Sequence, residues 1–171
     1  VVDLGNNFES LSEVEKIKKK MDAGNEARKK SQDNSILALG VAAEIARSRD
    51  EDRQKFFRPR TAYIIDSLKH PEEVSRLRQI YPLGFYLIGV SSGNERRLKY
   101  LKEERRLPEG DARALMMRDE NEKVNHGQMV AHTFHLSDFF VYVDDSTEKL
   151  KSDIWRIVDI LFGHPNRTPM F

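Results

Sequence analysis

An aspartate that closes a short apolar run is the first residue of this chain whose position suggests chemistry. Residues 61–66 (TAYIID) form a β-strand pattern that ends in the carboxylate of Asp66. In open α/β sheets, ligands bind at the carboxyl edge of the strands, and in nucleotide enzymes an acid there can hold magnesium or orient a phosphate. The alternative is that Asp66 only caps a loop or a helix. We take it as a candidate nucleotide-binding residue.

Arginine is the second residue type that points to a nucleotide, because its planar guanidinium group matches the oxygens of a phosphate. Arg118 and Gln128 lie in residues 107–130, a long polar segment that reads as a loop apart from residues 112–117. Long segments of this kind are often lids, and a lid over a nucleotide would use an arginine. The candidate phosphate ligands are Arg58, Arg60, Lys69, Arg118 and either Arg97 or Arg105. Since the chain has 29 basic residues, most of these are expected to be solvated.

Other catalytic and metal-binding patterns are weak or absent in the sequence. His126, His132 and His135 could serve a metal site, but no acidic residue repeats with them, so structural or surface roles are expected. The chain has no cysteine, which excludes disulfides, a thiol nucleophile and cysteine-ligated zinc. Its glycines fit neither G-x-G-x-x-G nor G-x-x-x-x-G-K-[ST], the two common phosphate-binding loops. We assign no catalytic residue and no metal ligand.

Composition is that of one well-solvated domain. The chain has 171 residues, with 29 basic and 28 acidic side chains, a balance that argues against a protein that coats DNA. The longest apolar runs, such as residues 85–90, are too short to cross a bilayer, and the first residues do not form a signal peptide. We therefore expect a cytoplasmic location and no membrane partner.

The elements that must position these residues alternate between helix and strand. The patterns predict helices over residues 11–30, 36–48, 71–80, 94–106 and 147–162, and strands over residues 61–66, 85–90 and 138–144. Ser12 with Glu15 has the spacing of a capping box. Strands separated by long helices indicate parallel pairing, and the apolar run 85–90 is typical of a strand buried on both faces. Two more strands are expected before Val1, so the predicted fold is an α/β domain that is incomplete at its N-terminus.

Several segments together resemble one protein family. Residues 60–74 (RTAYIIDSLKHPEEV) and 84–90 (GFYLIGV) are similar to the N-terminal part of the bacterial two-domain deoxycytidylate deaminase-like proteins of anti-phage defence. The same family is matched by residues 21–28, 118–120, 127–128, 133–141 and 162–165. The resemblance therefore covers most of the chain.

The resemblance implies a P-loop kinase-like domain, related to nucleoside-monophosphate kinases, over residues 1–163, and the start of a linker to a zinc deaminase domain over residues 164–171. That second domain would convert dCMP to the deoxyuridine nucleotide and deplete a pool that a phage needs. Because this chain has neither cysteine nor a phosphate-binding loop, no catalytic residue is carried over and zinc is expected only in the second domain. Asp66, Arg60, Arg118 and Gln128 are expected on the nucleotide-facing side.

Three functions remain open at this stage. The first is a regulatory domain that binds a deoxynucleotide or a nucleoside triphosphate, with Mg²⁺, next to the deaminase domain. The second is a small-molecule kinase of the nucleoside-monophosphate or dephospho-coenzyme A type. The third is an interaction module whose lysine-rich residues 16–20 contact a protein or an inhibitory RNA, although such a run is more often a solvated helix face. Association with a second copy of the chain is also open.

Overall fold

The computed structural model describes residues 8–50, 61–120, 127–143 and 146–163. Arg60 and His126 lie outside these ranges. A short 3₁₀ turn (Phe8–Ser10) precedes the first α-helix. The helices are α1 (Glu13–Ser31), α2 (Ile36–Asp50), α3 (Pro71–Ile80), α4 (Asn94–Glu103), α5 (Glu109–Glu120), α6 (Val130–Phe134) and α7 (Thr147–Leu161), and the strands are β1 (Ile88–Ser91) and β2 (Phe139–Tyr142). None of the helices in these ranges carries an apolar stretch that could cross a membrane.

The first helix begins where the sequence predicts it to begin. The Ser12 hydroxyl accepts the Glu15 backbone N–H, and the Glu15 carboxylate accepts the Ser12 backbone N–H at 2.9 Å. This reciprocal capping box satisfies donors that the first turn of a helix leaves without partners. The hydrogen bond from the Ser12 side chain also lowers the pKa of the Glu15 carboxyl.

A small parallel sheet joins two distant parts of the chain. β1 pairs with β2 in parallel, with Gly89 opposite Phe140 and Val90 opposite Val141, and helices α4, α5 and α6 lie between the two strands in sequence. Asp138 fixes the start of the pair, because its carboxylate accepts the Leu87 backbone N–H and the Arg78 guanidinium of α3. The fold is therefore mixed α/β, which confirms the prediction in its coarse form, and the described residues are mostly helical around a sheet of only two strands.

The predicted strand over residues 61–66 is wrong. These residues are irregular, and the side chain of Ile64 is 95% exposed. A strand needs a neighbour to pair its backbone groups, and the only sheet in the described residues consists of β1 and β2.

Two further predictions need correction. The run 85–90 forms a strand only at its end, and Val90 is 60% exposed, so β1 is not buried on both faces. The loop predicted around residues 107–130 contains α5, which begins just after Pro108 and carries Glu109 and Asp111 in its first turn. Acidic residues there interact favourably with the positive end of the helix dipole.

Most of the buried apolar side chains lie on helices, although Val141 of β2 is buried as well. Met21 of α1 packs in a buried cluster with Leu107, Ala112 and Leu115, so that α1 lies against α4 and α5. On the other side of α1, α2 packs against both α1 and α3, where Val74 and Leu77 are fully buried. Gly24 faces α2 here, since a Cβ atom there would make an ordinary van der Waals contact with Leu37 at 3.6 Å.

Candidate functional site

Two ion pairs meet where α1, α5 and the start of α3 come together. Lys69 Nζ lies 2.6 Å from Asp119 Oδ1, and Arg118 Nη2 lies 2.6 Å from Asp22 Oδ1. The backbone of Lys69 also accepts the Met129 N–H at 2.8 Å, which brings the neighbouring, buried Gln128 close to the same place. We call Asp22, Lys69, Arg118, Asp119 and Gln128 the charged junction.

A buried ion pair lies directly behind this junction. Arg28 of α1 is 1% exposed and Glu73 of α3 is 2% exposed, with Arg28 Nη2 donating to Glu73 Oε1 at 2.8 Å. The other oxygen of Glu73 accepts the backbone N–H groups of Lys69, at 2.8 Å, and His70, at 3.2 Å. Lys69 therefore links the two groups, because its backbone bonds to Glu73 while its side chain bonds to Asp119.

The local sequence explains why a carboxylate can be buried here. Pro71 occupies the first turn of α3, and His70 caps the helix by accepting the Glu72 N–H on Nδ1 at 3.2 Å. Glu73 thus lies in the first turn, where the helix dipole favours a negative charge. Its two backbone hydrogen bonds and the Arg28 guanidinium together offset the cost of removing the charge from water.

Solvent exposure of the side chains differs between the two junction ion pairs, which a ligand could reach, and the buried Arg28–Glu73 pair, which it could not. The side chains of Lys69 and Asp119 are 29% and 31% exposed, and those of Arg118 and Asp22 are 25% and 67% exposed. The Arg28–Glu73 pair is closed to solvent. An anion could therefore approach Lys69 and Arg118, whereas Arg28 serves to hold α1 against α3.

Two of the four predicted nucleotide-binding residues lie at the junction by separate contacts: Arg118 through Asp22, and the buried Gln128 through its neighbour Met129, whose N–H bonds to Lys69. Arg118 and Gln128 both belong to the charged junction. Arg118 does so from α5, however, so the prediction that it lies on a loop-like lid is wrong. Asp66 is exposed three residues before Lys69, on the irregular segment, and within the described residues no hydrogen bond joins it to the junction. Arg60 lies outside the described residues.

Two of the three histidines considered as metal ligands lie within the described residues. His132 and His135 are both exposed. No group of three or more acidic or histidine side chains within the described ranges is arranged to hold a metal ion.

An open groove of about 800 Å³ lies elsewhere, between the start of α1 and the connection from α4 to α5. Its charged lining residues are Glu13, Glu15, Lys18, Glu104, Arg105, Arg106 and Asp111. Carboxylates outnumber cations there, and Arg105 is already 3.7 Å from Glu13. This balance makes the groove a poor site for a phosphate.

The lysine-rich stretch of α1 is largely engaged within the chain. Lys16 lies 3.6 Å from Glu13, Lys18 lies 3.4 Å from Asp111, and Lys20 lies over the ring of Phe8. These contacts favour a solvated and internally paired helix face over a recognition patch.

Sequence reasoning missed the buried pair and the partners of the junction cations. One signal was available for Arg28, which falls seven residues after Met21 on the apolar stripe of α1. A charged residue in such a stripe indicates a buried partner. The pairing of Lys69 with Asp119 spans 50 residues and leaves no comparable local pattern.

Comparisons with protein-family models, with curated proteins and with solved structures gave no match to this chain. The chemistry of the site must be argued from its own groups. Lys69 and Arg118 are suited to bind an anion, Gln128 carries an amide, and no nucleophile–base pair has been identified among the junction residues.

Proposed function

We propose that this chain is the nucleotide-binding, regulatory domain of a deoxycytidylate deaminase-related protein, and that the charged junction binds the phosphates of the nucleotide. The P-loop kinase-like fold and the adjoining zinc deaminase domain are part of this proposal and come from the sequence resemblance. The observation that carries it is that two partly exposed cations pair with carboxylates in one region: Lys69 contacts Asp119, and Arg118, the residue next to Asp119 on α5, contacts Asp22.

The energies of the two junction pairs favour exchange for a phosphate. Ion pairs at this degree of exposure are typically worth about 0–1 kcal/mol. A hydrogen bond from an arginine to a phosphate is charge-assisted and contributes about 1.5–3 kcal/mol. Arg118 can therefore leave Asp22, which is 67% exposed and readily solvated, when a phosphate arrives. The buried Arg28–Glu73 pair would hold the helices in place meanwhile.

Magnesium fits this proposal through one residue. Mg²⁺ commonly binds through one or two carboxylates together with the phosphates of its substrate, and it keeps several waters. Asp66 is exposed and close in sequence to Lys69, so its carboxylate is accessible to a magnesium ion that a triphosphate carries. The ion would neutralise phosphate charge, and Asp66 would orient it.

Calorimetric titration tests the proposal on the full chain. A panel of deoxynucleoside mono- and triphosphates is titrated with Mg²⁺ into the wild type, Arg118→Ala and Arg113→Ala. Arg113 is the matched control, because it lies on the same helix and pairs with Glu109 rather than with the junction. We expect Arg118→Ala to weaken binding by about ten- to a hundredfold, the loss of one charge-assisted hydrogen bond, and Arg113→Ala to leave it unchanged.

Two outcomes would contradict the proposal. One is that no nucleotide of the panel binds the wild type. The other is that Arg118→Ala and Arg113→Ala change the affinity equally, which would mean that the junction does not contact the phosphates. Phosphoryl transfer from ATP to a nucleoside monophosphate in the same samples would instead support the kinase alternative.

A further inference from the structure

A second, apolar pocket lies beside the charged junction, between α1, α4 and α5. It is an open pocket of about 290 Å³, close to the lower end of the volumes found for small-molecule sites. Met21 and Leu115 form part of its lining and belong to the buried core cluster, and Met116 lies beside them. Tyr100, Asp119 and Arg97 also line it. The pocket is therefore mostly apolar, with an aromatic wall, one carboxylate and one guanidinium group.

The side chains of this lining favour a flat aromatic ligand. Methionine thioethers are polarisable and make favourable contacts with aromatic rings, and two of them, Met21 and Met116, line the pocket. The ring of Tyr100 offers a further surface for stacking or edge contacts. A purely aliphatic ligand would leave these contacts and the carboxylate of Asp119 unused.

Asp119 defines the polar edge that such a ring should carry. Its Oδ1 atom accepts Lys69 Nζ, and within the described residues no hydrogen bond occupies Oδ2. A carboxylate oxygen only accepts, so its natural partner on a ring is an amino group, as when aspartate or glutamate accepts from the amino group of cytosine. A ring carbonyl in the same place would face a negative charge.

We propose that this pocket binds a planar heteroaromatic ring with an exocyclic amino group, the class to which cytosine and adenine belong. Asp119 belongs both to the pocket and to the charged junction, so a ring in the pocket lies next to the cations that would bind phosphates. In this respect the inference rests on the proposed function: the pocket takes the base and the junction takes the phosphates.

Nucleosides, which carry no phosphate, test the pocket separately. Deoxycytidine, deoxyadenosine and deoxyuridine are titrated into the wild type, Met116→Trp and Met117→Trp, with binding followed by calorimetry. Met116 lines the pocket, whereas the adjacent Met117 is 75% exposed and does not, so the two variants carry the same bulky change on one helix. We expect an amino-bearing nucleoside to bind at least about tenfold more tightly than deoxyuridine. Met116→Trp should abolish this binding and Met117→Trp should preserve it.

The outcomes distinguish this inference from the proposed function. If nucleotides bind and Arg118→Ala weakens them, but Met116→Trp has no effect and no nucleoside binds, the pocket is not the base site and the inference fails alone. If nucleosides bind and Met116→Trp removes them, but Arg118→Ala changes nothing, the pocket stands and the phosphate site fails. Equal binding of deoxycytidine and deoxyuridine would overturn the role of Asp119.

Discussion

Replacing Arg28 by methionine is expected to lower the free energy of unfolding by about 3 kcal/mol. Removing one partner of a buried ion pair costs about 3–5 kcal/mol, because the other charge stays buried without compensation. Here the low end of that range applies, since Glu73 would keep two backbone hydrogen bonds, from Lys69 and His70, and its place in the first turn of α3. A domain is stable by only about 5–15 kcal/mol, so the loss is a large fraction of the total.

Urea denaturation followed by far-ultraviolet circular dichroism measures this loss. The matched control is Arg113→Met, the same substitution in an arginine–glutamate pair whose side chains are 62% and 47% exposed. Such a pair is worth about 0–1 kcal/mol, so the control should remain near the wild type. The contrast between the two variants isolates burial as the cause.

A double variant keeps the test decisive even if Arg28→Met does not fold. In Arg28→Met/Glu73→Gln both charges are gone, and the amide oxygen of glutamine can still accept the two backbone N–H groups. The double variant should therefore be more stable than the sum of the single losses predicts, by about 1–3 kcal/mol. Strictly additive losses, or an Arg28→Met loss no larger than that of Arg113→Met, would refute the account of the buried pair.

Two other predictions concern backbone packing and acid stability. Gly89→Ala should lower the free energy of unfolding by about 1–3 kcal/mol, because a Cβ atom there would lie 2.6 Å from Ser137 Oγ and 2.9 Å from Phe134 Cε2. Gly40→Ala should instead raise it by about 1 kcal/mol, because Gly40 lies in α2 with open space around it. Thermal unfolding of the two variants measures both changes. Hydrogen bonds from Lys102 and then Arg113 lower the pKa of Glu109 from its usual 4.5 to about 2. The stability from this carboxylate is therefore present above pH 4.5 and lost as the pH falls towards about 2. An unchanged acid titration of stability in Glu109→Gln would contradict this.

The helices could be predicted well because their signals are local. The Ser12–Glu15 box begins α1, and Pro71 with its two following glutamates begins α3, as the structure confirms. Hydrogen bonds between residues three or four apart and the helix dipole decide these boundaries, and both can be read over a few residues. Only the middle residues of α5 were predicted. The helix contributes two residues, Ala112 and Leu115, to the buried cluster, and this apolar span is too short to show a helical period among polar neighbours.

The charged junction could be predicted only in part, because its geometry depends on contacts between distant segments. Chemical type identified Lys69 and Arg118 as candidates, since cations suit phosphates, and the family resemblance added Gln128. That Lys69 bonds to Asp119, or Arg118 to Asp22 across 96 residues, follows from how α1, α3 and α5 pack, which no local pattern records. Arg118 was expected on a loop-like lid, but it lies in α5.

Residues 61–66 and β1 show why apolar runs are the least certain signal. Both have the composition of a strand, yet only the second is paired, and the difference is a partner rather than a propensity. Asp138 accepts the Leu87 N–H and so sets β1 beside β2, whereas among the described residues no equivalent hydrogen bond joins residues 61–66 to the sheet. A strand exists only where a neighbour satisfies its backbone groups. The composition of a segment can therefore indicate that it is able to form a strand, whereas whether it does so depends on a pairing partner from elsewhere in the fold.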